Sequence, residues 1–117
     1  MKQFKIIEAF KTTELLADNK NLSSSDQWEI YKLRKILRPH IEFQDERLEA
    51  IRNKYKEFAD ENGTIYGDDY ERYNKEIEEL YNLEVELDFE KPIIPMVDGI
   101  TFKIIEPLED FIEFIPE

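Results

Sequence analysis

The stretch LEVELDFE (residues 83–90) changes the periodicity of the chain. Its apolar and acidic residues alternate strictly, with Leu83, Val85, Leu87 and Phe89 set against Glu84, Glu86, Asp88 and Glu90. A period of two is typical of a β-strand that has one face on a core and the other in water. Because the other long segments have helical periodicity, this stretch favours an α+β fold over a helical bundle.

The residues that follow supply a partner for this strand. KPIIPMVDG (residues 91–99) is interpreted as a turn, because Pro92 and Pro95 have no N–H to donate to a regular ladder. ITFKII (residues 100–105) alternates again. We therefore expect residues 83–89 and 100–105 to pair as an antiparallel ribbon.

Both ends of the chain bear on whether this ribbon is covered. Pro107 predicts a last short helix, PLEDFIEFI (residues 107–115), with acids in its first turn. A two-stranded ribbon alone is marginal in water, so it needs helices against one face, and residues 2–6 could add a third strand. The first seven residues fit a strand or a helix equally well, whereas residues 8–18 have helical periodicity.

The longest helical signal lies upstream. Residues 24–58 carry an apolar stripe at steps of three, four or seven, formed by Ile30, Leu33, Leu37, Ile41, Leu48, Ile51, Tyr55 and Phe58. Ser24 and Gln27 predict a capping box at the start of this helix. Pro39 removes one hydrogen bond and crowds the preceding turn, so a kink or break is expected near residues 37–39.

A second helix is predicted over DDYERYNKEIEELYN (residues 68–82), capped by Asp68. The intervening residues contain Asn62-Gly63, a strong signal for a tight turn. Two amphipathic helices joined by a short turn bury their stripes most simply as an antiparallel hairpin. The predicted fold is α+β: a kinked antiparallel helical hairpin packed on a small antiparallel β-ribbon or three-stranded sheet, in a single domain of residues 1–117.

Composition narrows the class of protein. The 117 residues are 41% hydrophobic and 13% aromatic, which favours folding over disorder. The chain has no cysteine, so it offers no disulfide, no thiolate ligand and no thiol nucleophile. It also has no apolar run of about 18 residues and no signal-like start. The sequence predicts a soluble, cytoplasmic protein without a membrane partner.

Charge is concentrated in one half. The net charge is −12, and residues 57–117 alone hold nineteen acidic against four basic residues. Such a field repels phosphate and disfavours direct nucleic-acid binding. It favours encounter with a protein that has a basic surface, although the same charge also serves solubility alone.

DENGTIYGDDYE (residues 60–71) superficially resembles a calcium-binding loop. Counted from Asp60, the sixth position must be a glycine for the sharp turn, yet it is Ile65. A β-branched residue does not adopt the required positive φ cheaply. We interpret the stretch as a helix–helix turn and expect no metal site.

The row of acids in LEVELDFE allows three interpretations. A metal-dependent nuclease strand is disfavoured, because no lysine lies two residues beyond any of the acids. Imitation of a phosphate backbone is a second interpretation, and a plain solvent face that guards against edge pairing is the favoured one. The candidate partner-binding residues are Glu84, Glu86, Asp88 and Glu90, together with Glu109, Asp110 and Glu113 of the C-terminal segment.

Other candidate sites are weaker. His40, the only histidine, has no nucleophile placed near it by any motif, so a surface or kink-capping role is favoured. The basic stretch YKLRKILR (residues 31–38) contains Lys32, Arg34, Lys35 and Arg38, which we expect to pair within the fold or with a partner. Nucleotide-binding, zincin, hydrolase and kinase signatures are absent, and no cofactor is expected.

The order of segments resembles a family of small uncharacterised proteins from tailed phages and prophages. The stretches that carry the resemblance are YKLRKILRPHIEFQDERLEAIRNKYKEF, DENGTIY, YERYNKEIEELYNLEVELDFEK and IIEPLEDFI. PIIPMVDGITFKI departs most from that pattern. The resemblance implies a phage or mobile-element origin and an accessory role, and it carries no catalytic residues.

Two functional hypotheses follow from these observations. The first is a non-enzymatic accessory protein that works by protein–protein contact, with particle assembly and self-association among its roles. The second is an acidic inhibitor that imitates nucleic acid and blocks a host DNA-binding or defence enzyme. Both place the protein in the bacterial host cell, where the first could also associate with the phage particle.

Overall fold

The computed structural model describes residues 1–117 and has an α+β architecture with four helices and one two-stranded sheet. In chain order the elements are α1 (Gln3–Ala17), α2 (Ser24–Tyr55), a 3₁₀ turn (Lys56–Phe58), α3 (Gly67–Tyr81), β1 (Ile93–Pro95), α4 (Phe102–Leu108) and β2 (Glu113–Ile115). None of the four helices combines the length and the apolarity that crossing a membrane requires.

Helix α1 resolves the ambiguity at the start of the chain in favour of helix. It begins at Gln3, and its buried side chains recur at helical spacing, with Ile6, Ala9, Thr13 and Leu16 fully buried. The hydroxyl of Thr13 donates to the carbonyl of Phe10 (2.6 Å), so this buried polar group is satisfied.

Helix α2 continues for 32 residues through Pro39. Of the kink or break expected there, the break is therefore wrong. Pro39 lies on the exposed side of the helix, where water can solvate the carbonyl that its missing N–H leaves free. The cap is shifted by one residue from the prediction: Ser23, not Ser24, accepts a hydrogen bond from the N–H of Asp26 (3.1 Å). Gln27 instead donates to the carbonyl of Asn19 (2.9 Å).

Helices α2 and α3 form the predicted antiparallel hairpin. Tyr55 meets Tyr73 edge-on near the turn, with ring centroids 5.5 Å apart, and Ile51 packs with Leu80 one turn further from it. The predicted cap at Asp68 is wrong, because α3 begins at Gly67 and has no side-chain cap. Asp68 lies in the first turn, where its charge still favours the helix.

Residues 83–89 do not form the predicted strand. Their only ladder contact is an isolated antiparallel bridge between Lys2 and Glu84, with Gln3 N–H donating to the Leu83 carbonyl (2.9 Å). The predicted alternation is nevertheless present in the burial pattern. Val85, Leu87 and Phe89 are half-buried against the core, and the acids between them are exposed.

The predicted antiparallel ribbon is wrong because its second strand is a helix. ITFKII contributes most of α4, in which Ile104 and Leu108 are buried one turn apart, whereas Phe102 is 83% exposed. The alternation of Ile100, Phe102 and Ile104 therefore does not place these three side chains on one buried face. The predicted helix over residues 107–115 is also wrong, since α4 ends at Leu108 and the chain turns into β2.

The sheet consists of β1 and β2 paired in parallel, with Ile94 opposite Phe114. The prediction that prolines would prevent pairing over this segment is wrong. Glu113 N–H donates to the Pro92 carbonyl (2.9 Å) and Met96 N–H donates to the Ile115 carbonyl (2.8 Å). Pro95 lies between these bonding positions, so the ladder does not need its missing N–H.

The interior has two unequal parts. The larger is a cluster of thirteen buried apolar residues drawn from α1, the first half of α2, β1, α4 and the turn before β2, with Leu22 and Val97 from loops. The smaller contains only Ile51, Tyr55 and Leu80, in the hairpin. The molecule is elongated, with extents of 53 × 29 × 19 Å.

Candidate interaction surface

The acidic residues singled out from the sequence lie on two segments that meet. We use the name acidic surface for Glu84, Glu86, Asp88, Glu90, Glu109, Asp110 and Glu113, all of which are exposed. Phe89 stacks on Phe111, with ring centroids 6.1 Å apart. This buried contact holds the extended segment of residues 84–90 beside the turn that contains Glu109 and Asp110.

Three of these acids line one open groove. Glu86, Asp88 and Asp110 contribute to a groove of about 760 Å³ whose apolar part comes from Val85, Leu87 and Phe89. Glu109 and Glu113 line a neighbouring groove of about 400 Å³, and Lys91 contributes to both. The acids from the two segments therefore form a continuous surface around Lys91.

Most of the charge on the acidic surface is unpaired. The ammonium group of Met1 contacts Glu84 (3.0 Å), and Lys5 contacts Asp110 at 3.8 Å. The remaining five acids form no ion pair within the chain. Lys91 donates to the backbone carbonyl of Glu109 (3.4 Å) and leaves the nearby carboxylates free.

The sequence allowed the basic stretch of α2 to pair with the acidic half of the chain, but in the structure it does not. Arg34 donates to the Thr13 hydroxyl (2.8 Å) and its guanidinium lies 4.4 Å from the centroid of the Phe10 ring, so it fixes α2 against α1. Lys32 pairs with Glu29 within the same helix (2.8 Å). Lys35 lies over the Tyr31 ring, 5.8 Å from its centroid.

The loop around Asp60 uses its carboxylate to build the turn. Asp60 accepts from the N–H groups of Asn62 (2.9 Å) and Thr64 (3.0 Å) and from the hydroxyl of Tyr66 (2.7 Å). Gly63 takes the positive φ of +79° that the turn requires. The hydrogen bonds from Thr64 and then Tyr66 hold the pKa of Asp60 below its ordinary value.

One ion pair crosses the hairpin. Lys54 Nζ donates to Glu76 Oε1 at 2.7 Å. This hydrogen bond raises the pKa of Lys54 and lowers the pKa of Glu76. Each shift has the sign expected of partners that stabilise one another's charged form. The pair joins α2 to α3.

Sequence reasoning missed Gln44, which is only 3% exposed and whose side-chain oxygen Oε1 has no hydrogen-bond partner in the protein. It lines a cavity of about 280 Å³ between α1, α2 and the end of α3, where Phe10, Ile41 and Leu48 supply apolar walls. The amphipathic pattern of α2 contains the signal, because position 44 falls on the apolar stripe.

The side chain of His40 forms no hydrogen bond or ion pair, and its role in the structure is through the backbone. Its carbonyl accepts from the amide of the buried Gln3 (2.7 Å), which ties the start of α1 to the middle of α2. Nowhere do three histidine or carboxylate side chains converge to hold a metal ion. No protein family model, no curated protein and no solved structure matches the chain.

Proposed function

We propose that this protein acts without catalysis, as an accessory protein of a phage or mobile element that binds a protein partner through its acidic surface. The observation that carries the proposal is the alternation at residues 85–90, which turns apolar side chains inward and leaves Glu86, Asp88 and Glu90 exposed and unpaired. Like charges held side by side repel one another, and a basic partner relieves that repulsion.

The shape of the acidic surface also supports a protein partner. Its grooves combine carboxylates with half-buried apolar side chains, such as Leu87 and Phe89. A partner with lysine or arginine side chains beside an apolar residue could use both features, which gives steering from charge and affinity from burial. We place this contact in the cytoplasm of the host cell, and particle assembly is the process in which a small accessory protein of this kind fits best.

A second candidate function rests on the linear arrangement of the acids. In an extended chain alternate residues are spaced by about 6.6–6.8 Å, so residues 84–90 present a regular row of negative charge. Such a row could imitate a phosphate backbone and occupy the nucleic-acid groove of a host DNA-binding or defence enzyme. The two candidates share the surface and differ in the partner.

The experiment is an affinity capture from phage-infected cells with the double variant Glu86→Lys/Asp88→Lys. The wild type should retain a partner whose binding weakens as salt rises, and the variant should bind that partner at least about tenfold more weakly. The matched control is Glu61→Lys/Glu71→Lys, which makes the same charge change on exposed residues of the hairpin. Circular dichroism checks that each variant is folded.

The identity of the retained partner separates the two candidates. A structural component of the particle supports the assembly role. A nucleic-acid enzyme that is released by added DNA supports the inhibitor. If both double variants lose the same proteins equally, or if neither loses any, the acidic surface is not the binding site.

A further inference from the structure

The outer face of α2 exposes apolar side chains that the fold leaves uncovered. Trp28 is 57% exposed, Ile36 39% and Phe43 46%, and Pro39 between them is also exposed. The opposite side of the same helix supplies Leu33 and Leu37 to the core. Helices α1 and α3 both pack on α2 from the core side and leave these four residues exposed, although one side of Phe43 borders a groove that it shares with Leu80 at the end of α3.

The charges on this outer face change sign at Pro39. Lys32 and Lys35 precede it, Glu42 and Glu46 follow it, and all four are exposed. At 3.6 residues per turn, these charges and the four exposed apolar residues lie within an arc of about 120°. We call this arc the outer strip of α2. Its length from Trp28 to Glu46 is about 27 Å.

The outer strip is complementary to itself when it is reversed. In an antiparallel pair of such strips, Ile36 of one meets Phe43 of the other, Lys35 meets Glu42, and Lys32 meets Glu46. The midpoint of each pair falls within one residue of Pro39. Ile36 and Phe43 lie towards one edge of the strip, and Lys35 and Glu42 lie towards the other. A twofold axis across the pair brings the apolar edge of one strip against the apolar edge of the other, and the charged edge against the charged edge.

We propose that two copies of this chain associate through the outer strips of their α2 helices, antiparallel and with the twofold axis at Pro39. In this interface Pro39 lies at the centre, the contacts of Ile36 with Phe43 follow one edge, and the ion pairs of Lys35 with Glu42 follow the other. Every pair occurs twice because the interface is isologous. The inference does not depend on the proposed function, since no residue of the outer strip belongs to the acidic surface.

The first test is sedimentation of the purified full chain over a range of concentrations. The monomer has a mass of 14.1 kDa, and we expect a reversible shift to twice that value as concentration rises. Lys35→Glu places acid against acid twice in each dimer, so dimerisation should weaken by about tenfold. Lys75→Glu makes the same charge change on an exposed position of α3 and should leave the dissociation constant unchanged.

A charge swap makes the test specific. Glu42→Lys alone should also weaken the dimer, and the double variant Lys35→Glu/Glu42→Lys should restore it to within about threefold of the wild type. The double variant has the net charge of the wild type, so its recovery would come from the pairing. Because both positions are exposed, neither change disturbs the core, and circular dichroism confirms the helix content.

Three outcomes would overturn the proposal. One is a wild type that stays monomeric up to about 1 mM, a concentration at which even weak specific pairs associate. Another is equal weakening by Lys35→Glu and Lys75→Glu, which would show an effect of net charge alone. The third is a double variant that is no better than either single one. None of these results bears on capture of a partner by the acidic surface.

Discussion

The molecule has a body, formed by α1, the first half of α2 and everything after α3, and a hairpin tip, formed by residues 48–81. Thirteen apolar side chains are buried together in the body, and only three are buried in the tip. The body joins segments far apart in the sequence, as where Gln3 contacts the carbonyl of His40. The tip joins only the two helices of one hairpin, as where Lys54 contacts Glu76, and many of its contacts are partly exposed.

Side-chain hydrogen bonds occur in both parts, but those of Gln3 and Arg34 in the body are partly buried, whereas those of the hairpin tip are exposed. The hairpin tip has the ion pair of Lys54 with Glu76 and the turn built on Asp60. Such contacts contribute little free energy where water competes for them. Burial therefore stabilises the body, whereas the tip depends on a small apolar cluster and local hydrogen bonds. The difference indicates that the tip opens locally before the body unfolds.

The largest expected effect comes from removing one leucine from each part. Leu37→Ala should lower the free energy of unfolding by about 4 kcal/mol, because the side chain is fully buried in the large cluster. Leu80→Ala should cost about 2 kcal/mol, since the small cluster can relax around the cavity. Urea denaturation followed by circular dichroism measures both. Equal losses would remove the distinction between body and tip.

A smaller effect, an increase in the free energy of unfolding, is expected from a substitution of Gln44 at the border between body and tip. Gln44→Met replaces a buried amide, whose oxygen has no hydrogen-bond partner, by an apolar side chain of similar length. The free energy of unfolding should rise by about 1 kcal/mol. The matched control is Gln27→Met, which loses a real hydrogen bond to Asn19 and should destabilise. Destabilisation by Gln44→Met would show that the amide is satisfied in solution.

The smallest expected effect is a pH dependence of stability that arises from Asp60 in the hairpin tip. The pKa of Asp60 in the folded chain lies below its ordinary value of 3.8, so the carboxylate stabilises the fold above that pH. This contribution is lost as the pH falls through the folded pKa. Asp60→Asn should be less stable than wild type at pH 7, and the difference should shrink towards zero in acid. If the free energies of unfolding of wild type and Asp60→Asn changed with pH in parallel, the charge of Asp60 would not have this stabilising role.

The parts that sequence reasoning predicted correctly are those with local causes. The antiparallel hairpin follows from two helical stripes and the Asn62-Gly63 turn, and the Asp60 loop is the turn that its residue types indicate. The alternation correctly indicated that Val85, Leu87 and Phe89 face inward, because burial follows the spacing of apolar residues in an extended chain. It was wrong for Leu83, which is 44% exposed.

The parts that failed depend on which distant segment lies alongside. Residues 100–105 show an alternation too short to separate from a helix, and burial of Ile104 and Leu108 one turn apart selects the helix. The parallel pairing of β1 with β2 joins residues about twenty positions apart, and no local signal specifies it. The convergence of Asp110 with Glu86 was beyond prediction for the same reason, since it requires the stacking of Phe89 on Phe111.

The position of the single tryptophan has an optical consequence. Trp28 is solvent-exposed and stacked on Tyr31, with ring centroids 5.3 Å apart, so its emission already comes from a wet environment in the native state. Intrinsic fluorescence is therefore a poor reporter of unfolding for this protein. The same indole is a native probe of whatever covers the outer strip, because its emission shifts to shorter wavelength only when water is displaced from that face.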